Sequence, residues 1–299
     1  MTESPKFNER ARRLRDLVEP LAAGIYFAPE AHRAYAGLGF GPSPVTVGGV
    51  EMPDGAAYFT SRGACMGRVP GEVVASAFGV FNPSAVVPAV THGWSLTDPE
   101  AILSARLEGA RGSLARMIGP DPDGVARATG ILRRAAEAAD VGGHALYAGL
   151  LSLGWPGDPV GDLWRAADLV REHRGDSHIA AWLAAGLDGV EIGLVTELWW
   201  GLPPRSYIRT RAWSDDQMDA ALERLRSIGW VDASGGLSAT GRAGREEIES
   251  ATDAAERKIL EAIGDDLAEL DGVLGPWGKA IVTAGGYPAG AGALMGRSG

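Results

Sequence analysis

Cysteine is nearly absent: Cys65 stands alone in 299 residues. One thiol cannot build an internal disulfide framework or a multi-cysteine metal site, which fits a reducing compartment. Long apolar runs are missing too. The longest, such as 179–187, fall well short of the roughly 20 residues a membrane-spanning helix needs. The opening Met1-Thr2-Glu3-Ser4-Pro5-Lys6 lacks the apolar core of a secretory signal, so the expectation is a cytoplasmic chain with no membrane partner. Positive charge is in deficit: 28 Lys and Arg against 38 Asp and Glu leave a net charge of −10. Such a chain repels a polyanion at long range, which weighs against DNA as a partner without forbidding it. No G-x-S-x-G elbow, P-loop or dinucleotide glycine fingerprint occurs, so no cofactor is expected. No H-E-x-x-H spacing supports zinc at His32, His173 and His178, and no metal is expected either.

What is present is a series of helix signals. Hydrophobic residues make up 45% and charged residues 22% of the chain, the balance of a globular protein with its own core. Its length accommodates two domains of the usual roughly 100 to 150 residues. Leu14, Leu17, Val18 and Leu21 recur at helical spacing within 7–26. Pro29 opens a short helix, and the glycines, prolines and alternating valines of 39–55 predict a small hairpin or loop. Asn82-Pro83 and Asp158-Pro159 place capping side chains before first-turn prolines, and Thr97 to Glu100 reads as a capping box. These starts predict helices over 70–80, 83–92, 98–118, 122–152 with a break at Gly142-Gly143, and 159–185. An apolar segment over 190–200 follows. A further capping box, Ser214 to Gln217, precedes a helix over 218–228, with others over 242–263 and 266–284.

The run Leu222-Glu223-Arg224-Leu225-Arg226-Ser227-Ile228-Gly229-Trp230-Val231, a turn, and Leu237-Ser238-Ala239-Thr240-Gly241-Arg242 resemble the recognition helix, wing and next helix start of MarR-type winged-helix proteins. Across the chain, Ala31-His32-Arg33-Ala34-Tyr35, Phe81-Asn82-Pro83 and the block from Arg171 to His178 resemble an uncharacterised actinobacterial helix-turn-helix family. That resemblance implies a winged-helix part and carries no established activity. The expected fold is mainly α: a helical domain over 1–186, a winged-helix-like domain with a small β wing over 187–285, and a flexible tail over 286–299. The second domain suits packing or homodimer formation. Its reading helix begins Asp215-Asp216-Gln217-Met218-Asp219, with Glu223 one turn on, although groove readers normally present Arg, Lys, Asn or Gln. Arg205, Arg209 and Arg211, just before it, remain as phosphate contacts.

Arg171-Glu172-His173-Arg174-Gly175-Asp176-Ser177-His178 holds two of only five histidines. Imidazole changes charge nearest neutral pH, and adjacent acids or guanidiniums set its state. In one unbroken helix His173 and His178 diverge by about 140°. A break at Gly175, with Asp176 capping the next helix, lets them converge. The bland alternative makes Asp176 a cap and the histidines packing residues. The leading functional expectation is a small-molecule-binding protein, a cofactor-independent acid/base enzyme of isomerase, lyase or cyclase type. His173, Asp176 and His178 are its catalytic candidates. Arg174, His32, Tyr35, Arg62, Phe81 and Asn82 are candidates to hold the substrate. The alternative is a ligand-sensing winged-helix transcriptional regulator.

Overall fold

Side-chain caps fix where most helices begin. A computed structural model describes residues 4–288. Ser4 accepts from the Phe7 amide to start α1 (Pro5–Ala23), and α2 (Pro29–Gly37) opens on a proline. Asp54 starts α3 (Gly55–Gly63), which is followed by α4 (Gly71–Phe78). Asn82 and Asp98 start α5 (Pro83–Leu96) and α6 (Pro99–Ile118), so the cap before Pro99 is Asp98 and not Thr97. The predicted 122–152 span is two helices, α7 (Val125–Glu137) and α8 (Ala145–Ser152), parted where Gly143 takes a positive φ of 80°. Asp158 starts α9 (Pro159–Ala184), which runs unbroken through Gly175. Then come α10 (Gly189–Trp200), α11 (Asp215–Ser227), α12 (Ala239–Ala255), α13 (Arg257–Ile263) and α14 (Leu267–Thr283).

The expected hairpin is β1 (Thr46–Val47) paired antiparallel with β2 (Val50–Glu51). Gly48 and Gly49 both take positive φ, as the tight turn between such strands demands. The expected β wing is shorter than the sequence suggests. It is a single antiparallel bridge, Val231 with Leu237, closed by the Asp232 carboxylate accepting from the Ser234 and Gly236 amides. No single helix among the described residues is long and apolar enough to cross a membrane.

Two apolar clusters organise the chain. The first contains Leu14 and Leu21 of α1, Ile131 of α7 and Trp164 and Leu169 of α9, and it takes in Ile259, Leu270 and Ile281 from α13 and α14. The C-terminal helices therefore share the core of the first helices. Tyr287, expected in a loose tail, is buried and donates its hydroxyl to the Glu19 carbonyl at 2.8 Å. Residues 289–299 lie outside the described residues. The second cluster joins Trp182, Val190, Val195, Ile208, Met218, Leu225, Val231 and Ile248 from the end of α9 through α12.

The two clusters meet at polar contacts. Asn82 donates its amide to the Arg211 carbonyl and its Nδ2 to Ala212 O and Gln217 Oε1, while Trp213 Nε1 donates to Val80 O at 2.9 Å. In the first cluster α2 and α6 approach closely at Gly109, where an added Cβ would lie 2.6 Å from the Ala31 Cα. Gly109→Ala is expected to lower unfolding free energy by about 1–3 kcal/mol through overpacking. Urea denaturation checks this, and an unchanged midpoint would show that the two helices can part freely.

Candidate functional site

The central helix α9 is buried on most of its circumference yet carries six charged or titratable side chains there. A buried charge needs a partner, and the partners come from several elements. Asp168 pairs with Arg106 of α6 at 3.1 Å. Glu172 takes two donors from Arg62 of α3, at 2.9 and 2.7 Å, and one from Arg171 at 2.9 Å. Arg62 and Arg171 hold the Glu172 carboxyl down at about 2, against the burial that would raise it. Toward α12, His173 Nδ1 lies 2.7 Å from Glu256, Arg174 reaches Glu249 at 3.0 Å and Asp253 at 2.8 Å, and His178 Nδ1 lies 3.0 Å from Thr252 Oγ1.

Between α1, α9, α10 and α12 lies a cavity of about 330 Å³. Its apolar wall includes Leu14, Val18, Val170, Ile192 and Trp200. Its polar wall includes Arg62, Arg171, Arg174, His178, Arg245 and Glu249. Tyr207, whose ring packs edge-on to Trp200 at 5.6 Å, closes one side. The loop bearing it is held by buried Glu197, which accepts from the Tyr207 and Ile208 amides at 2.9 and 3.1 Å.

Burial, aided by nearby Arg245 and Arg174, pushes the His178 imidazole down to about 4, so it is neutral at neutral pH. Its tautomer follows from its partner. Thr252 gives its hydroxyl proton to the Ile248 carbonyl at 2.8 Å and so accepts from His178 Nδ1–H. Nε2 is left with its lone pair, and it has no partner among the described residues. Glu249 is held well below the usual carboxylate range by Arg245, His178 and Arg174, against its own burial. Arg245 forms an ion pair with Glu249 at 2.6 Å. Its Nε and Nη1, and Nη1 of Arg174, are buried donors without a hydrogen-bond partner.

Of the nine residues expected to form a site, Arg62, Arg174 and His178 line this cavity. The catalytic trio is not assembled. His173 is 3% exposed, stacked on His144 at 4.0 Å and tied to Glu256. Asp176 points to α8, where its Oδ2 accepts from the Leu146 and Tyr147 amides at 3.0 and 3.2 Å. It is a cap, but of a helix some thirty residues upstream rather than of a helix after Gly175, because α9 does not break. Burial pushes its carboxyl up to about 7. His32 and Tyr35 face a separate crevice of about 10 Å³, room for roughly one water. His32 contacts Tyr26 O at 3.0 Å and Glu51 at 3.2 Å. Phe81 packs with Tyr58, Phe59 and Phe78, and Asn82 serves the junction already described. Cys65 is buried, its thiol pushed up to about 12, so no thiolate is available.

The cavity residues that the sequence reading missed include Arg245 and Glu249 of α12 and Glu256 just past its end. Arg245, Glu249, Thr252 and Glu256 recur at intervals of four, three and four, and all are buried. The signal was a polar stripe at core spacing where an apolar one is usual. Among the described residues no three His, Cys, Asp or Glu side chains converge as metal ligands would. Guanidiniums, carboxylates and one imidazole suit an organic ion.

Two titrations have opposite signs. Below pH 6.5 the unfolded chain protonates its histidine while folded His178 resists to about 4, so stability falls as pH drops through that window. Asp176, raised from 3.8 to about 7, makes stability fall as pH climbs between those values. Asp176→Asn, which keeps an acceptor for both amides, is expected to remove the second slope. Asp176→Ala is expected to cost about 1–2 kcal/mol as a lost cap. Denaturant midpoints across pH check both, and an alanine variant as stable as the parent would refute the cap.

A model described as a helix-turn-helix family matches residues 11–288. No curated protein and no solved structure matches the chain.

Proposed function

The chain belongs to this helix-turn-helix family, and we propose that it works as a ligand-sensing DNA-binding regulator. In this reading α10 and α11 are the helix pair, the Val231–Leu237 bridge is a reduced wing, and α12 links the pair to the helical body. One observation carries the reading: the cavity draws its walls both from the body, through α1 and α9, and from the helix-turn-helix unit, through α10 and α12. A ligand there touches both parts at once.

The exposed face of α11 sets the terms for DNA. Asp215, Asp216, Asp219 and Glu223 all face solvent. Arg205 pairs with Asp215 and Asp219, and Arg209 with Asp215 at 2.7 Å. A phosphate must draw these arginines away from their carboxylates, so affinity is expected to be modest and strongly salt-dependent. Homodimer formation, matching two half-sites, is part of the same reading.

A second reading keeps His178 as a general base in a small-molecule enzyme, favoured by its neutral state and unshared Nε2. Enrichment of duplexes from a random pool, followed by fluorescence anisotropy at several salt concentrations, decides for or against the first. A specific duplex should emerge. Replacing Arg205 and Arg209 by alanine should weaken binding and reduce the salt slope by about one for each lost phosphate contact. Failure to enrich any duplex would remove the regulator reading.

A further inference from the structure

The cavity also specifies what it holds. We infer that it takes an amphipathic organic monocarboxylate that carries a hydrogen-bond donor and, by bridging α9 and α12, sets the position of the helix-turn-helix unit. The coupling half of this inference rests on the regulator reading, and the ligand class does not.

The negative charge follows from the arginines. Arg174 and Arg245 are 8% and 3% exposed, both line the cavity, and both keep donors with no partner. A carboxylate that draws the two guanidiniums toward the cavity gives those donors the acceptor they lack, in the bidentate geometry that guanidinium favours. A single charge is specified by what already sits there. Glu249 lies between the two arginines, and Asp16, Glu19 and Glu256 also line the cavity, so a phosphate dianion meets more repulsion from fixed carboxylates than a monoanion does.

The donor follows from His178. Its Nδ1–H is committed to Thr252, so Nε2 offers the cavity an acceptor only. A hydroxyl or amide N–H on the ligand satisfies it. Leu14, Val18, Val170, Ile192 and Trp200 supply an apolar stretch of wall that matches a hydrocarbon or aryl body. At about 330 Å³ the space is at the small end of the range for small-molecule sites, roughly 300–1,000 Å³. Arg174 and His178 belong to α9 and Arg245 to α12, so the same ligand atoms engage both helices.

The test is isothermal titration calorimetry of the full chain with para-hydroxyphenylacetate and a set of omega-hydroxyalkanoates. Each acid is compared with its methyl ester, its O-methyl ether and the matching phosphate monoester. At least one free acid should bind, with the ester, ether and phosphate each roughly tenfold weaker or more. Arg245→Gln should remove the preference for acid over ester, and His178→Leu the preference for hydroxyl over ether, with circular dichroism confirming that each variant folds. If no acid in the series binds the parent protein, or if acid and ester bind equally, the ligand assignment is overturned; this outcome does not depend on how the variants behave. Repeating the DNA measurement with the bound acid separates the two claims. Acid binding that leaves duplex affinity unchanged upholds the ligand class and removes the coupling. A shifted affinity upholds both.

Discussion

A buried helix that carries charge must be answered from every side, and α9 imposes that requirement on the whole molecule. Its acids Asp168, Glu172 and Asp176 run along one face and Arg174 and His178 along another, so no single neighbour can serve them all. Arg106 from α6, Arg62 from α3, Glu256 and the carboxylates of α12, and the first amides of α8 each meet one of them. Pairs of this kind add little net stability over an apolar core of the same shape, because desolvation offsets attraction. Losing one partner is costly, however, since the other charge is left buried alone. In this fold the pairs act as a registration device: α12 can sit on α9 in one longitudinal position only, with His173 at Glu256 and His178 at Thr252.

The same requirement explains why a cavity survives in the interior. The side chains facing it are long, charged and held by one another, so they cannot collapse inward as leucines would. Arg174, Arg245 and Glu249 form a chain of contacts along one wall. The loop carrying Tyr207 is propped open on the opposite side by Glu197. The unpartnered guanidinium donors are the point at which this mutual satisfaction stops, and they mark the polar end of the space.

Local chemistry was legible in the sequence, and partnership across distance was not. Asn82, Asp158 and Ser214 could be read as caps because a cap acts within four residues. Asp176 could be read as a cap too, but the helix it caps is invisible from the neighbourhood of Gly175, because α8 reaches it only through the fold. The histidine block stood out by composition. The division of labour within it depends on which helix packs on each face: a period of 3.6 keeps His173 and Asp176 together on the side of α8 and turns His178 away towards Thr252. The mainly helical class was plain from the starts and stops. That only one bridge forms near Trp230 was not, since Val231 and Leu237 flank a turn equally well with one bridge or several. The polar stripe of α12 was present in the letters, but its burial depends on α9 packing against it.

The path of the chain between the two cores carries a mechanical consequence. The polypeptide leaves the first core at the end of α9, builds the second, and returns through α13 and α14 to close the first. The unit holding α10 and α11 is thus an insert, joined to the first core by two stretches of chain and by the Asn82 and Trp213 contacts, rather than hanging from a linker. Tension between the ends of the described chain would load the first core and bypass the insert.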